Sequence, residues 1–431
     1  MANGDSKALF FLRHHNDLDH ITPVIYKWLT TTGCPADIFI TTEARYLDDF
    51  RVRFLQMLPN QRIFALENVI GDQREMARVM AEPAFAEALV GGVFQGFSGG
   101  VITFDWTMSE FVRNVMAAGQ RRGIQTVALP HGDAPHINSM LHTEHLDYSA
   151  LENYRPHAGF DYVVTPNSLC ARRYTRFMPE ARVPVLGSPR YCDEWLAVMG
   201  AAIPLYNWEG SEAGLKILFL LRDYNYPVFW EEAARTNRLV LQFPDAFLVV
   251  KHHTRSATVQ RLMRDHPDLE IRDHPRFRMV YDEAHTASLI AWANVVLDIG
   301  TSAAFEAVKR GKPVLSLEYL HAGRTTVAHY IRACDIQYRD QLYDWMVRFQ
   351  TDRNAAFYDE DERSRFVSRM LEFPDGKVLE RYVEFLKKCA RVTAEIADFN
   401  AAPVGLTVGA ELGDSAVKRD VCQRSSPASA G

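Results

Sequence analysis

Short apolar runs bounded by turn residues alternate with longer amphipathic segments along most of the chain, the pattern expected of successive βαβ units. In the first half the runs that predict strands are Ala8–Leu12, Asp37–Ile40, Ile63–Leu66, Val101–Phe104, Gln125–Leu129, Tyr162–Thr165 and Val183–Leu186. Helical spacing covers Thr22–Thr31, with Pro23 in the first turn, and Met108–Arg122. The strands read as near-continuous Val, Ile, Leu and Phe rather than as alternating patterns, so helices are expected on both faces of the sheet. The apolar stretch Ala84–Phe104 is broken by Glu87, Gln95, Ser98 and several glycines. A membrane-spanning helix needs about 20 predominantly apolar residues, and this stretch is read instead as buried loop and strand.

Between Gly200 and Gly214 the period is lost among Gly, Pro, Asn, Ser and Glu, and it restarts with the strand pattern Lys216–Leu221. Further strands are predicted at Phe247–Lys251, Leu269–Arg272, Val295–Leu297 and Val314–Leu317, with helices at Val228–Phe243, Ala284–Trp292 and Ala303–Lys309. A helical section follows from Arg339 to Phe399 and ends in Val378–Ala397. The reading is an α/β chain with a first domain over residues 1–200, a linker over 201–215 and a second domain over 216–399. Beyond Phe399 there is no aromatic residue, and 400–431 is expected to be a disordered tail.

Composition narrows the function classes. With 431 residues, 47% hydrophobic and 24% charged, the chain is long enough for two or three cores. Its 48 Lys and Arg face 54 Asp and Glu, a net charge of −6, so no overall basic field is available for nucleic acid. The six cysteines form no CxxC pair, which points away from a zinc ribbon or disulfide framework and toward a reducing, cytoplasmic setting. The apolar run near the N-terminus stops at Arg13 and is too short for a secretory signal core.

No GxGxxG follows the first strand, and neither GxxxxGK[ST] nor HExxH occurs. The candidate chemistry lies in polar clusters at the C-terminal ends of predicted strands, where open α/β sheets present ligands. In Val295–Val314, a buried strand leads through Asp298 into Gly300, Thr301 and Ser302 and then a helix carrying Glu306. The turn and the first helical amides could receive a phosphate or ribose oxygen, and the Glu306 carboxylate the ribose hydroxyls. Lys251, His252 and His253, followed by Arg255, end another strand and could neutralise a diphosphate leaving group without a metal. Arg222 follows the first strand of this half and could reach the same phosphates, with a base stacking on the aromatic turn Tyr224–Tyr226.

In the first half, His131 stands between Pro130 and Gly132 at a strand end, placed for general-base work or for capping a helix. Arg13 to His20 form a polar loop in which Asp17 or Asp19 could hold substrate hydroxyls, act as the base instead, or cap a helix. These two also spell DxD, but a three-residue pattern is weak support for a metal, and none is expected. Arg190, in the Gly187–Trp195 turn segment, is placed either to face a cleft between the halves and touch donor phosphate or to be a surface arginine.

At these residues the chain resembles the GT-B glycosyltransferase superfamily, and most nearly the CDP-glycerol glycerophosphotransferases and capsular polysaccharide transferases. Asp298 and Glu306 stand at the spacing of the E-x7-E donor pattern, the Gly-Thr-Ser turn is similar to the serine-rich motif, His253 falls at the histidine of Lys-x-His-Pro, and His131-Gly132 at the family's His-Gly pair. The resemblance implies two Rossmann-like domains facing a cleft, with a nucleotide-activated donor (CMP-, CDP- or UDP-linked) on the second and a glycan or lipid-linked acceptor on the first. It further implies metal-independent transfer of a sugar or polyol-phosphate, with His131 as base and Lys251, His253, Arg222, Arg190 and Gly300–Ser302 at the phosphates, possible peripheral contact with the inner membrane face included. A non-hydrolysing sugar-nucleotide 2-epimerase, and a non-catalytic sugar-nucleotide-binding protein, are the alternatives. Oligomeric state is not indicated.

Overall fold

The structure, a computed structural model, describes residues 6–132, 152–224, 227–253, 256–281 and 283–391. The expected disordered tail, Asp133, Tyr226 and Arg255 lie outside them.

Among the described residues, twelve strands form two six-stranded parallel sheets. The first contains β1 (Ser6–Leu12), β2 (Ala36–Ile40), β3 (Gln61–Ala65), β4 (Gly99–Phe104), β5 (Gln125–Ala128) and β6 (Tyr162–Val163), in the order β3-β2-β1-β4-β5-β6. The second contains β7 (Leu215–Leu220), β8 (Ala246–Lys251), β9 (Phe277–Val280), β10 (Val295–Asp298), β11 (Val314–Leu317) and β12 (Asp335–Ile336), in the order β12-β11-β10-β7-β8-β9. Counted from its own first strand, each sheet has the doubly wound order 3-2-1-4-5-6, which opens a crevice at the strand C-termini where the winding reverses. Those reversal points lie between β1 and β4 and between β7 and β10. The two Rossmann-like domains of a GT-B architecture are thus present.

Each sheet is covered as its continuous apolar strands require: β1, β2, β10 and β11 are buried along their whole length. On one face of the first sheet, Trp28, Val24 and Ile25 of the helix Thr22–Thr31 join Phe10 and Ile38 in a core; on the other, Phe111, Val115 and Val90 pack with Leu9 and Phe11. No helix among the described residues is long and apolar enough to cross a membrane.

Several elements differ from the sequence reading. Residues Pro83–Val93 form a helix rather than a loop, and Gly91 lies within that helix, where a Cβ would come within 2.8 Å of the Arg122 guanidinium. The strand expected at Leu269–Arg272 is replaced by a short helical turn at Pro267–Leu269, and the pairing strand is β9, eight residues later in the chain at its first residue. Val183–Leu186 contributes only an isolated bridge, Thr165 to Val185. The segment read as a linker is anchored on the second domain, where Trp208 packs against Trp292 and Phe247. The helix Val378–Ala390, expected with the second domain, lies in the core of the first, with Val378, Leu379, Tyr382 and Leu386 buried there.

Candidate functional site

Two groups of polar side chains occupy the two reversal points. In the first domain, β1 leads through Arg13 into the short helix His15–His20, which stands where a loop is expected from the sequence and carries Asp17; Asp105 directly follows β4, and β5 leads to His131. His131 Nδ1 lies 3.0 Å from Asp17 Oδ1 and 3.2 Å from Asp105 Oδ2, and the Asn16 side-chain amide is 3.1 Å from Nε2. Asp17 is held in place by the backbone amides of Arg13 and His14, which donate to its Oδ2 at 2.7 and 3.2 Å. Thr107 fixes Asp105, its backbone amide donating at 3.1 Å and its hydroxyl at 2.7 Å, while Arg13 donates to the Thr107 hydroxyl at 2.8 Å. The His14 ring lies 4.7 Å from that of His131.

One imidazole between two buried carboxylates sets the proton affinities. Burial, reinforced by the charge of Asp105, pushes Asp17 up to about 6. Burial works against a charged His131, but hydrogen bonds to Asp105 and Asp17 and their charges outweigh it and raise the imidazole to about 9. Asp105 is held well below the usual carboxylate range, since the His131 hydrogen bond and charge exceed the upward push of burial. At neutral pH the cluster therefore presents one cationic acid and two carboxylates, a set able to take up and release a proton. One ligand atom from each of His14, Asp17, Asp105 and His131 lies within 4.8 Å of the others, so the same side chains also have the chemical types of a metal-ligand set.

Asp19 is separated from this cluster. It pairs with Arg51 and, at 3.1 Å, with Arg190. Burial would raise its carboxyl, but Arg190 and Arg51 drive it far below the ordinary value. Asp19 is therefore an ionised carboxylate held between Arg51 and Arg190. Arg51 also pairs with Asp49 at 2.7 Å, and Phe50 meets His285 of the second domain with ring centroids 5.2 Å apart.

In the second domain, Arg222 lies two residues past the end of β7, Lys251 ends β8, and Asp298 leads from β10 into Gly300. Gly300 has φ +94°, and a Cβ there would lie 3.0 Å from Arg222 Nη1, so the guanidinium is packed directly on the turn. The amides of Gly300 and Thr301 and the Thr301 hydroxyl donate to Asp298 at 2.9, 2.8 and 2.7 Å. These three donors, expected to face phosphate, are thus engaged within the turn. The Ser302 carbonyl accepts the Tyr191 hydroxyl at 2.6 Å, joining the two domains. Glu306 is buried, raised by that burial, and held by Arg310 at 2.8 Å. Lys251 is buried, and His253 Nδ1 lies 3.9 Å from Asp223. His252 stacks on Tyr281 at 4.9 Å, and burial followed by the charge of Lys251 lowers it to about 4.

The structure thus brings Asp17 together with His131, and Arg222 together with Gly300, and it places Asp19 and Arg190 in a separate ion-pair network. The sequence reading missed Asp105, His14 and Asn16. Asp105 carried a signal: it is an acidic residue directly after a buried strand, at the kind of strand end where the polar clusters were sought.

No protein-family model matches the sequence, and no curated protein does. Solved structures of the same architecture do match. A UDP-N-acetylglucosamine 2-epimerase superposes with TM-score 0.58 at 15% identity, covering 89% of this chain and 96% of that one. The UDP-GlcNAc 2-epimerase of Neisseria meningitidis bound to UDP-GlcNAc gives 0.51 at 14%, with 89% and 100% covered, and MnaA of S. aureus with UDP gives 0.56 at 13%, with 90% and 98% covered. At these identities the likeness is one of fold. It overturns the expectation of a sugar or polyol-phosphate transferase in surface glycan synthesis: structures matched along nearly their whole length include several UDP-GlcNAc 2-epimerases, and the alternative reading is the better supported one. The fold to which this chain is similar is that of the nucleotide-sugar 2-epimerases within the GT-B group.

Proposed function

We propose that the protein is a metal-independent enzyme acting on a nucleotide-activated sugar, with the chemistry of a non-hydrolysing 2-epimerase. The observation that carries this reading is the Asp17–Asp105–His131 cluster at the reversal point of the first sheet. Inverting C2 of a sugar requires a proton to leave one face and another to arrive on the opposite face. Loss of the C2 proton together with the phosphate at C1 forms a C1–C2 double bond, and return of the same phosphate to C1 as a proton reaches the other face of C2 completes the inversion without hydrolysis. At neutral pH the carboxylate and imidazolium of this cluster can take up or release a proton on one face of the sugar, and the reaction needs no acceptor.

Arg222, Lys251, His253 and the Ser302 turn are proposed to hold the nucleotide diphosphate, with Glu306 toward the ribose and positive charge replacing a metal ion at the leaving group. The 2-epimerase structures with UDP and UDP-GlcNAc support UDP as the first nucleotide to test.

The test is incubation with UDP-GlcNAc in D2O, with and without EDTA, followed by mass spectrometry and separation of the gluco and manno epimers. Deuterium at C2 and the appearance of the epimer, unaffected by EDTA, are expected. UDP-sugar binding with no C2 exchange would instead identify a non-catalytic binding protein.

A further inference from the structure

The cluster at the reversal point of the first sheet has a geometry that proton transfer alone does not require. His131 Nδ1 stands 3.0 Å from Asp17 Oδ1 and 3.2 Å from Asp105 Oδ2, and His14 Nδ1 stands 3.5 Å from Asp17 Oδ1. Bonds of about 2.0–2.1 Å to a tetrahedral zinc ion set neighbouring ligand atoms about 3.3–3.4 Å apart, so these separations already approach the edges of a coordination tetrahedron. Two carboxylates and two imidazoles also match the charge and ligand types that Zn2+ takes, whereas Mg2+ and Ca2+ favour oxygen shells.

The ligands are braced from behind, as metal ligands require. The amides of Arg13 and His14 hold Asp17 Oδ2 and leave Oδ1 facing the imidazoles, Thr107 holds Asp105, and the Asn16 side-chain amide lies 3.1 Å from His131 Nε2. Asp17 and Asp105 are buried, while the His14 and His131 side chains are 32% and 27% exposed, so an ion enters past the imidazoles. Arg13 is the neighbouring cation; its Nη2 meets His14 Nε2 at 3.1 Å and keeps the Thr107 hydroxyl at 2.8 Å when His14 turns to an ion.

We infer that His14, Asp17, Asp105 and His131 bind one divalent transition-metal ion of the zinc class, and that the bound ion stops the enzyme rather than serving it. The site is independent of the nucleotide-sugar reading; the inhibition rests on it. Coordination releases the His131 Nδ1 proton to solvent and occupies the lone pairs of Asp17 and His131 through which protons would pass, so the metal-free protein is the working form.

Titration of the EDTA-treated, dialysed full chain with CoCl2, followed by visible absorption, tests the site, because Co2+ absorbs far more strongly in a tetrahedral site than in water. The expected result is an intense band that saturates at one Co2+ per chain, is bleached by one equivalent of Zn2+ and is untouched by millimolar Mg2+. His14→Ala, at a partly exposed position, and the near-isosteric Asp105→Asn should each weaken Co2+ binding by more than the roughly tenfold that loss of a supporting contact costs, with cooperative melts showing that both variants fold. A missing band, or one that survives both substitutions, would overturn the site. Where C2 deuterium exchange is observed, one equivalent of Zn2+ should abolish it and EDTA restore it; exchange that continues with zinc bound would refute the inhibition. Absence of exchange in the metal-free protein would remove the epimerase reading and the inhibition with it, and the cobalt spectrum would still decide the site.

Discussion

His131 makes contacts that no local sequence pattern specifies: its partners Asp17 and Asp105 come from the ends of two other strands. Replacing it with Gln should lower turnover by roughly 100-fold to 10,000-fold while UDP binding is kept. The activity of the unaltered protein should be bell-shaped in pH, with limbs near 6 and 9, where the Asp17–His131 pair gains and loses a proton. Stability follows from the same shifts. His131 is raised from 6.5 to about 9 on folding, so its contribution is complete below pH 6.5 and is lost as pH rises through 9. The melting temperature should therefore fall across pH 6.5–9, and His131→Gln should flatten that slope. A slope unchanged in the variant would place the titrating group elsewhere.

At the scale of the element, the turn after β10 combines a positive φ with close packing. Gly300 at φ +94° has Arg222 Nη1 where the methyl of an alanine would press. Gly300→Ala should cost about 1 to 3 kcal/mol of stability, as a residue forced into this backbone region does, and should weaken UDP binding by displacing Arg222. Urea denaturation and calorimetry read the two effects separately, and an unchanged UDP affinity would detach Arg222 from the nucleotide. The strand, turn and helix here were legible because Gly, Thr and Ser interrupt two apolar runs. The run Leu269–Arg272 was misread because short apolar stretches a few residues apart compete for one edge position, and pairing with β8 selects Phe277–Val280.

Across the whole molecule, the helix Val378–Ala390 returns from the second domain to the first. Its Tyr382 is fully buried and donates to the Gly187 carbonyl at 2.9 Å. Tyr382→Ala should destabilise the protein by about 3 kcal/mol or more, seen as a lowered denaturation midpoint. Ending the chain before Val378 should leave the first sheet unable to fold, since several buried side chains at about 1.5–3 kcal/mol each approach the stability of a typical domain. A soluble, cooperatively melting truncated chain would contradict that packing role. UDP at about 100 times its dissociation constant should add roughly 2.7 kcal/mol of stability, a shift visible in a thermal melt.

By itself, the sequence determined that the chain builds two parallel α/β domains, because unbroken Val, Ile, Leu and Phe runs separated by amphipathic segments can be buried on both faces only in that way. It also determined that polar residues collect at strand ends, since a buried strand leaves no other place for them. Tertiary structure decided which of those ends meet. Asp17 and Asp19 are two positions apart in the chain, yet one packs with His131 and the other between Arg51 and Arg190. The last helix is amphipathic in either setting, and only the shape of the first core assigned it there. Charge, burial and hydrogen bonding act over a few ångströms of space regardless of separation along the chain, so a proton-handling cluster drawn from three strands becomes visible only once the sheet order has brought those strands together.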